Sequence, residues 1–88
     1  MNWAVYILRC SDDSLYTGIT TDVERRVEEH NGNSNKCGAR FTRSRQPVTL
    51  VYREAANNRS EASKREMAIK ALSRDQKLAL IDQSSALI

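Results

Sequence analysis

The stretch "LYTGITTDVERRVEEH", Leu15 to His30, changes its period halfway along. Leu15 to Ile19 is short and rich in aromatic and β-branched residues, which is the pattern of a strand. From Thr21 the spacing turns helical. Val23 and Val27 lie four apart, and Glu24 follows Thr21 by three, the spacing of a capping box in which hydroxyl and carboxylate satisfy free amides of the first turn. Asp22 adds a favourable charge at the same end. The helix is expected to run to Glu29 or His30, where "NGNSN" stops it. A strand therefore feeds straight into a helix.

Working outward, Trp3 to Leu8 is a second apolar, β-rich run, and "SDDS", Ser11 to Ser14, is a polar turn. The two strands are expected to form an antiparallel hairpin. Asn31 to Pro47 has no clear period. Val48 to Tyr52 reads as a third strand, with room to include Arg53. Asn58, with Glu61 at the reciprocal position, caps a helix running to about Leu72. Ser73 and Gln76 repeat the capping-box spacing ahead of a last helix carrying Leu78, Leu80 and Ile81. The order is strand, strand, helix, strand, helix, helix. Three strands alone leave apolar faces uncovered, so helices on one or both faces complete a small α+β domain. Residues 1–84 are expected to form that single domain, with 85–88 as a short tail.

The chain has 88 residues, enough for one compact domain, and 40% are hydrophobic, which excludes a disordered chain. No apolar run approaches the ~20 residues of a membrane span. "MNWAVYILRC" carries neither a basic leader nor a small-residue cleavage site, so a cytoplasmic protein is expected, with no membrane partner. Cys10 and Cys37 lack the spacing of a zinc pair or redox motif and are read as free thiols. One histidine without a cysteine cluster excludes a zinc finger. A hard cation needs only one or two carboxylates plus water, and that option stays open. Fourteen Lys and Arg against eleven Asp and Glu give a net charge of +3. The distribution says more than the sum: Gly32 to Leu50 holds Lys36, Arg40, Arg43 and Arg45 and no acid, a concentrated positive surface.

On the first helix Arg26 and His30 share a face, and Arg26, three after Val23, sits beside the buried stripe. Arg25 and Glu29 read as an ordinary exposed pair. A solvated arginine pair and a histidine near the helix dipole is the plainer account of these residues. In "SEASKREMAIKAL" the apolar stripe is Ala62, Met67 and Ile69, with Ala71 and Leu72 as further candidates. Glu66, four after Ala62 and three before Ile69, falls at the edge of the side to be buried. A carboxylate there needs a partner: a salt bridge to Arg26 or Lys70, or a single metal ion. Tyr6 and Tyr16 come from neighbouring strands, and their phenols can share one face, as core residues with hydroxyls reaching the surface or as parts of a site. Gly18 weakens a strand and marks close approach of a backbone or ligand.

These residues carry a family resemblance. "AVYIL" at 4–8 and "YTG" at 16–18 stand where the two motifs of the GIY-YIG nuclease domain belong, and the helix with Arg26 and His30 and the later one with Glu66 follow in matching order. The chain most resembles the small stand-alone bacterial members, through "YTGITTDVERRVEEH", "GARFTRSRQPVTLVY" and "KREMAIKALSRDQKLALI". Ala4 and Val5 depart from the first motif and Thr17 from the second, Ile19 stands where some repair nucleases have lysine, and no late asparagine occurs in the final helix.

The resemblance implies a three-stranded antiparallel sheet flanked by helices, and an endonuclease that hydrolyses DNA phosphodiester bonds with one divalent ion, guided by substrate structure. It implies catalytic roles for Tyr6, Tyr16, Arg26, His30 and Glu66, with Glu66 holding Mg²⁺ or Mn²⁺ and Gly18 structural at the site. No small-molecule cofactor is implied, and the family suggests DNA repair or recombination. Lys36, Arg40, Arg43 and Arg45 would track phosphates. Phe41 would stack on an unpaired base or anchor its loop to the core. The rival is a catalytically weak or inactive nucleic-acid-binding module of the same fold. A third reading is a protein-interaction domain docking an acidic partner.

Overall fold

The structure, a computed structural model, describes residues 2–31 and 46–86, with side chains to Gln83. Strand β1 (Trp3–Arg9) and strand β2 (Leu15–Thr20) are followed by helix α1 (Val23–His30), strand β3 (Thr49–Ala56), helix α2 (Arg59–Lys70) and helix α3 (Arg74–Ala86). The fold is α+β with the expected order. The sheet runs β2-β1-β3, with both pairs antiparallel.

The central position of β1 explains its sequence. Val5 to Leu8 are all buried, because successive side chains enter opposite faces and both faces are covered. Tyr6, Leu8 and Cys10 form one cluster with Val23, Val48 and the partly buried Tyr16, Val27 and Leu50, so α1 lies on that face. Val5 and Ile7 pack with Ala62, Ile69, Leu80 and Ile81, which puts α2 and α3 on the other. Cys10 is a buried free thiol. A bulge in β3 pairs Ile7 with Tyr52 and Leu8 with Leu50, leaving Val51 as the extra residue. Val51 and Tyr52 consequently both join the cluster under α2 and α3.

Several local expectations need correcting. Helix α1 is capped by Asp22, not Thr21: the Asp22 carboxylate accepts from the Arg25 N–H at 3.1 Å. Thr20, still in β2, accepts the Asp22 N–H through its hydroxyl at 3.1 Å, which leaves Thr21 in the turn. Strand β3 continues to Ala56, since β1 pairs with it as far as Trp3. Met67 is 69% exposed and does not belong to the apolar stripe, which on α2 is Ala62 and Ile69. The two later caps form as read. Asn58 accepts from Glu61 N–H at 2.9 Å. Ser73 and Gln76 exchange reciprocal bonds of 2.9 and 3.2 Å.

Candidate active site

The hairpin register sets Tyr6 directly opposite Gly18, with Arg53 opposite Tyr6 on its other side. The Tyr6 ring lies over the glycine. A Cβ added at Gly18 would fall 2.5 Å from the Tyr6 hydroxyl oxygen and 2.6 Å from Cζ. Glycine is thus required for the close approach of a side chain rather than for a special backbone angle.

From Gly18 the Tyr6 phenol reaches α1, where its oxygen is 3.0 Å from Nε2 of His30. Both residues are enclosed, Tyr6 at 1% exposure and His30 at 0%. Tyr16 completes an aromatic cluster, its ring centroid 5.0 Å from His30 and 6.4 Å from Tyr6. Burial sets the protonation states. Desolvation, assisted by the positive charge of Arg26, pushes His30 down to about 4, so the imidazole is neutral at pH 7. Desolvation, assisted by Tyr16, pushes the Tyr6 phenol up to about 12, with Arg26 opposing and Glu66 adding to the rise. The Tyr6–His30 contact therefore joins two neutral groups, and the imidazole tautomer sets its direction.

Arg26 and Glu66 enter from different helices, and both are felt electrostatically at the Tyr6 phenol. Arg26 sits at the edge of the buried face, as its spacing after Val23 implies, and is half-buried. Its partner differs from the sequence reading: Glu29 pairs with Arg26 at 3.1 Å rather than with Arg25. Residues three apart are neighbours on a helix just as residues four apart are, and only the buried side offers Glu29 an enclosed partner. Glu66 faces Lys70 at 3.6 Å, one of the two salt-bridge partners expected for it.

Sequence reasoning passed over the groups that fix His30 in place. Asn31, read only as part of a helix stop, accepts the Val48 N–H at 2.7 Å and donates to the Val48 carbonyl at 3.1 Å, tying the end of α1 to the approach of β3. Gln46 donates to the His30 carbonyl at 2.6 Å. An asparagine directly after a helix was the available signal, but its partner is 17 residues away. Lys36, Arg40, Phe41, Arg43 and Arg45, like Cys37, lie outside the described residues.

Among the described residues no three His, Cys, Asp or Glu side chains gather as a metal cluster. Near the Tyr6 phenol the half-buried carboxylates are Glu29, which is bonded to Arg26, and Glu66, whose contact with Lys70 is looser. That donor set fits a hard oxygen-seeking cation that keeps most of its water and shares substrate oxygens, as Mg²⁺ and Mn²⁺ do, and does not fit zinc. Also among the described residues, no helix is long and apolar enough to cross a membrane.

The three-stranded sheet, its Tyr–Gly–Tyr hairpin, the arginine–histidine helix and the glutamate on the opposite helix are the parts that the resemblance to GIY-YIG domains implies. The chain belongs to the GIY-YIG family: residues 2–79 match the model of the GIY-YIG catalytic domain, a nuclease superfamily. Among curated relatives it is 58% identical to a UPF0213 protein of Desulfotalea psychrophila, over 93% of this chain and 73% of that one. It is 55% identical to a UPF0213 protein of Halobacterium salinarum, over 86% and 95%. Among solved structures it resembles the UPF0213 protein BH0048 of Bacillus halodurans, determined by solution NMR, with TM-score 0.59 and 43% identity, covering 94% of this chain and 85% of that one. The solution structure of EF2693 from E. faecalis matches with TM-score 0.64 and 37% identity, over 98% and 88%.

Proposed function

We propose that this protein is a cytoplasmic endonuclease that hydrolyses phosphodiester bonds of DNA at sites defined by strand structure, using one divalent cation. The observation that supports this reading best is the convergence on one phenol, Tyr6, of His30, Tyr16 and the charges of Arg26 and Glu66, residues drawn from two strands and two helices.

Glu66 would hold Mg²⁺ or Mn²⁺, which when bound polarises the phosphate and stabilises the leaving oxygen. Arg26 directs guanidinium donors to the non-bridging oxygens, where charge grows in the transition state, while Glu29 holds the guanidinium by accepting from Nη1. Tyr16 is half-buried, less enclosed than Tyr6. Tyr6, enclosed and 3.0 Å from Nε2 of His30, is the phenol assigned to relay the proton of the attacking water. Neutral His30 orients its hydroxyl, because burial and the Arg26 charge oppose protonating the imidazole. The raised Tyr6 pKa likewise disfavours a free phenolate. Lys36, Arg40, Arg43 and Arg45 would supply phosphate contacts, and four such contacts give a salt slope of roughly 3 to 4.

A panel of labelled single strands, duplexes, flaps and junctions of DNA and RNA, with Mg²⁺, Mn²⁺ or EDTA, tests the reading beside Glu66→Ala and Arg26→Ala. Metal-dependent cutting lost in both variants supports it. Salt-sensitive binding without cutting above the variants' background would refute it in favour of a catalytically weak or inactive nucleic-acid-binding module. The raised Tyr6 pKa is the observation that favours that second reading.

A further inference from the structure

Lys70 closes the last turn of α2, one turn beyond Glu66, with its ammonium 3.6 Å from the Glu66 carboxylate. That separation exceeds hydrogen-bond length, so the contact is a loose ion pair. The two ends of the pair differ. The Glu66 side chain is 21% exposed and close enough to be felt electrostatically at the Tyr6 phenol, whereas that of Lys70 is 53% exposed on a flexible four-carbon stem. A half-buried carboxylate needs a counter-charge at all times, and Lys70 supplies it when no other cation is present. The same mobility lets the ammonium leave at little cost.

Building on the reading of Glu66 as the metal-holding residue, we propose that Lys70 is a placeholder cation, occupying Glu66 until a divalent ion displaces it. A dication and an ammonium on one carboxylate repel each other, so the two occupancies exclude one another. The carboxylate–cation pair is then neutral when Lys70 occupies it and gains one net positive charge only when the ion arrives, which is when substrate phosphate can use the charge.

The test is direct Mn²⁺ binding, followed by electron paramagnetic resonance with no nucleic acid present, on wild type, Lys70→Gln, Lys70→Arg and Glu66→Gln, each checked for folding by circular dichroism. Removing a partly exposed competitor should tighten the Mn²⁺ Kd of Lys70→Gln about two- to fivefold. Lys70→Arg, which keeps the charge, should return it towards wild type. Affinity in Lys70→Gln equal to or weaker than wild type, while wild type still binds better than Glu66→Gln, would overturn the placeholder role alone. Wild type binding no better than Glu66→Gln would overturn the metal assignment of Glu66 together with it.

Discussion

Replacing Gly18 by alanine should cost far more than a methyl group in a strand ordinarily does. The added Cβ falls 2.5, 2.6 and 3.1 Å from Oη, Cζ and Cε1 of Tyr6. Ordinary carbon contacts sit near ~3.5 Å or beyond, so the ring must retreat by about 1 Å. Tyr6 is enclosed, and its phenol is 3.0 Å from His30 Nε2, a contact that a displacement of that size breaks. Overpacking costs about 1–3 kcal/mol. Leaving the buried phenol and imidazole unpaired costs about 1–3 kcal/mol more. Relief of glycine's backbone entropy returns about 0.5–1 kcal/mol. The net centres on about 3 kcal/mol, and at ~4–8 °C per kcal/mol for a domain this size the midpoint should fall by roughly 12–25 °C. Thermal and urea denaturation measure it. Gly18→Ala combined with Tyr6→Leu, which removes the obstructing ring, should destabilise by less than the sum of the single changes. Gly18→Ala within about 0.5 kcal/mol of wild type, with additivity in the double variant, would refute the close-approach account.

His30 gives a pH signature. Its folded pKa of about 4 lies below the usual 6.5, so the unfolded chain binds the extra proton first and stability is lost as pH falls through that window. Unfolding free energies from urea denaturation at pH 7 and 4.5 should differ by up to about 2 kcal/mol, and His30→Gln should flatten the dependence. Arg26→Ala strips Glu29 of its partner; it should cost about 1 kcal/mol in denaturation and, on the nuclease reading, lower cutting by at least about 100-fold. Glu54 accepts from the Tyr52 hydroxyl and from Arg65 Nε, both at 2.6 Å, joining β3 to α2. Glu54→Ala should destabilise by about 1–2 kcal/mol, and a double-mutant cycle with Arg65→Ala should recover the shared part.

The amino-acid sequence by itself determined the elements and their order. The apolar, β-rich run of β1 marks a strand, whose coverage on one face or both the sequence leaves open. Asn58 and the Ser73–Gln76 pair announce their helices through bonds to residues three positions away. Alternation along the hairpin placed Tyr6, Tyr16 and Gly18 on one face, and helical spacing put Arg26 and Glu66 at the edges of buried stripes. All of these follow from residues within a few positions of one another. Tertiary structure decided the pairings. Whether Glu29 serves Arg25 or Arg26 depends on which side of α1 the sheet covers. Asp22 displaces Thr21 as the cap because β2 keeps Thr20 and turns its hydroxyl onto Asp22. Met67 lies outside because only one narrow side of α2 meets the sheet, and the bulge at Val51 exists only in the pairing of β3 with β1. The enclosure of His30, and with it the neutral imidazole against the Tyr6 phenol, depends on groups 24 residues apart in the chain meeting in one desolvated space. Local patterning sets conformation through neighbours, whereas desolvation and pairing are properties of the packed whole.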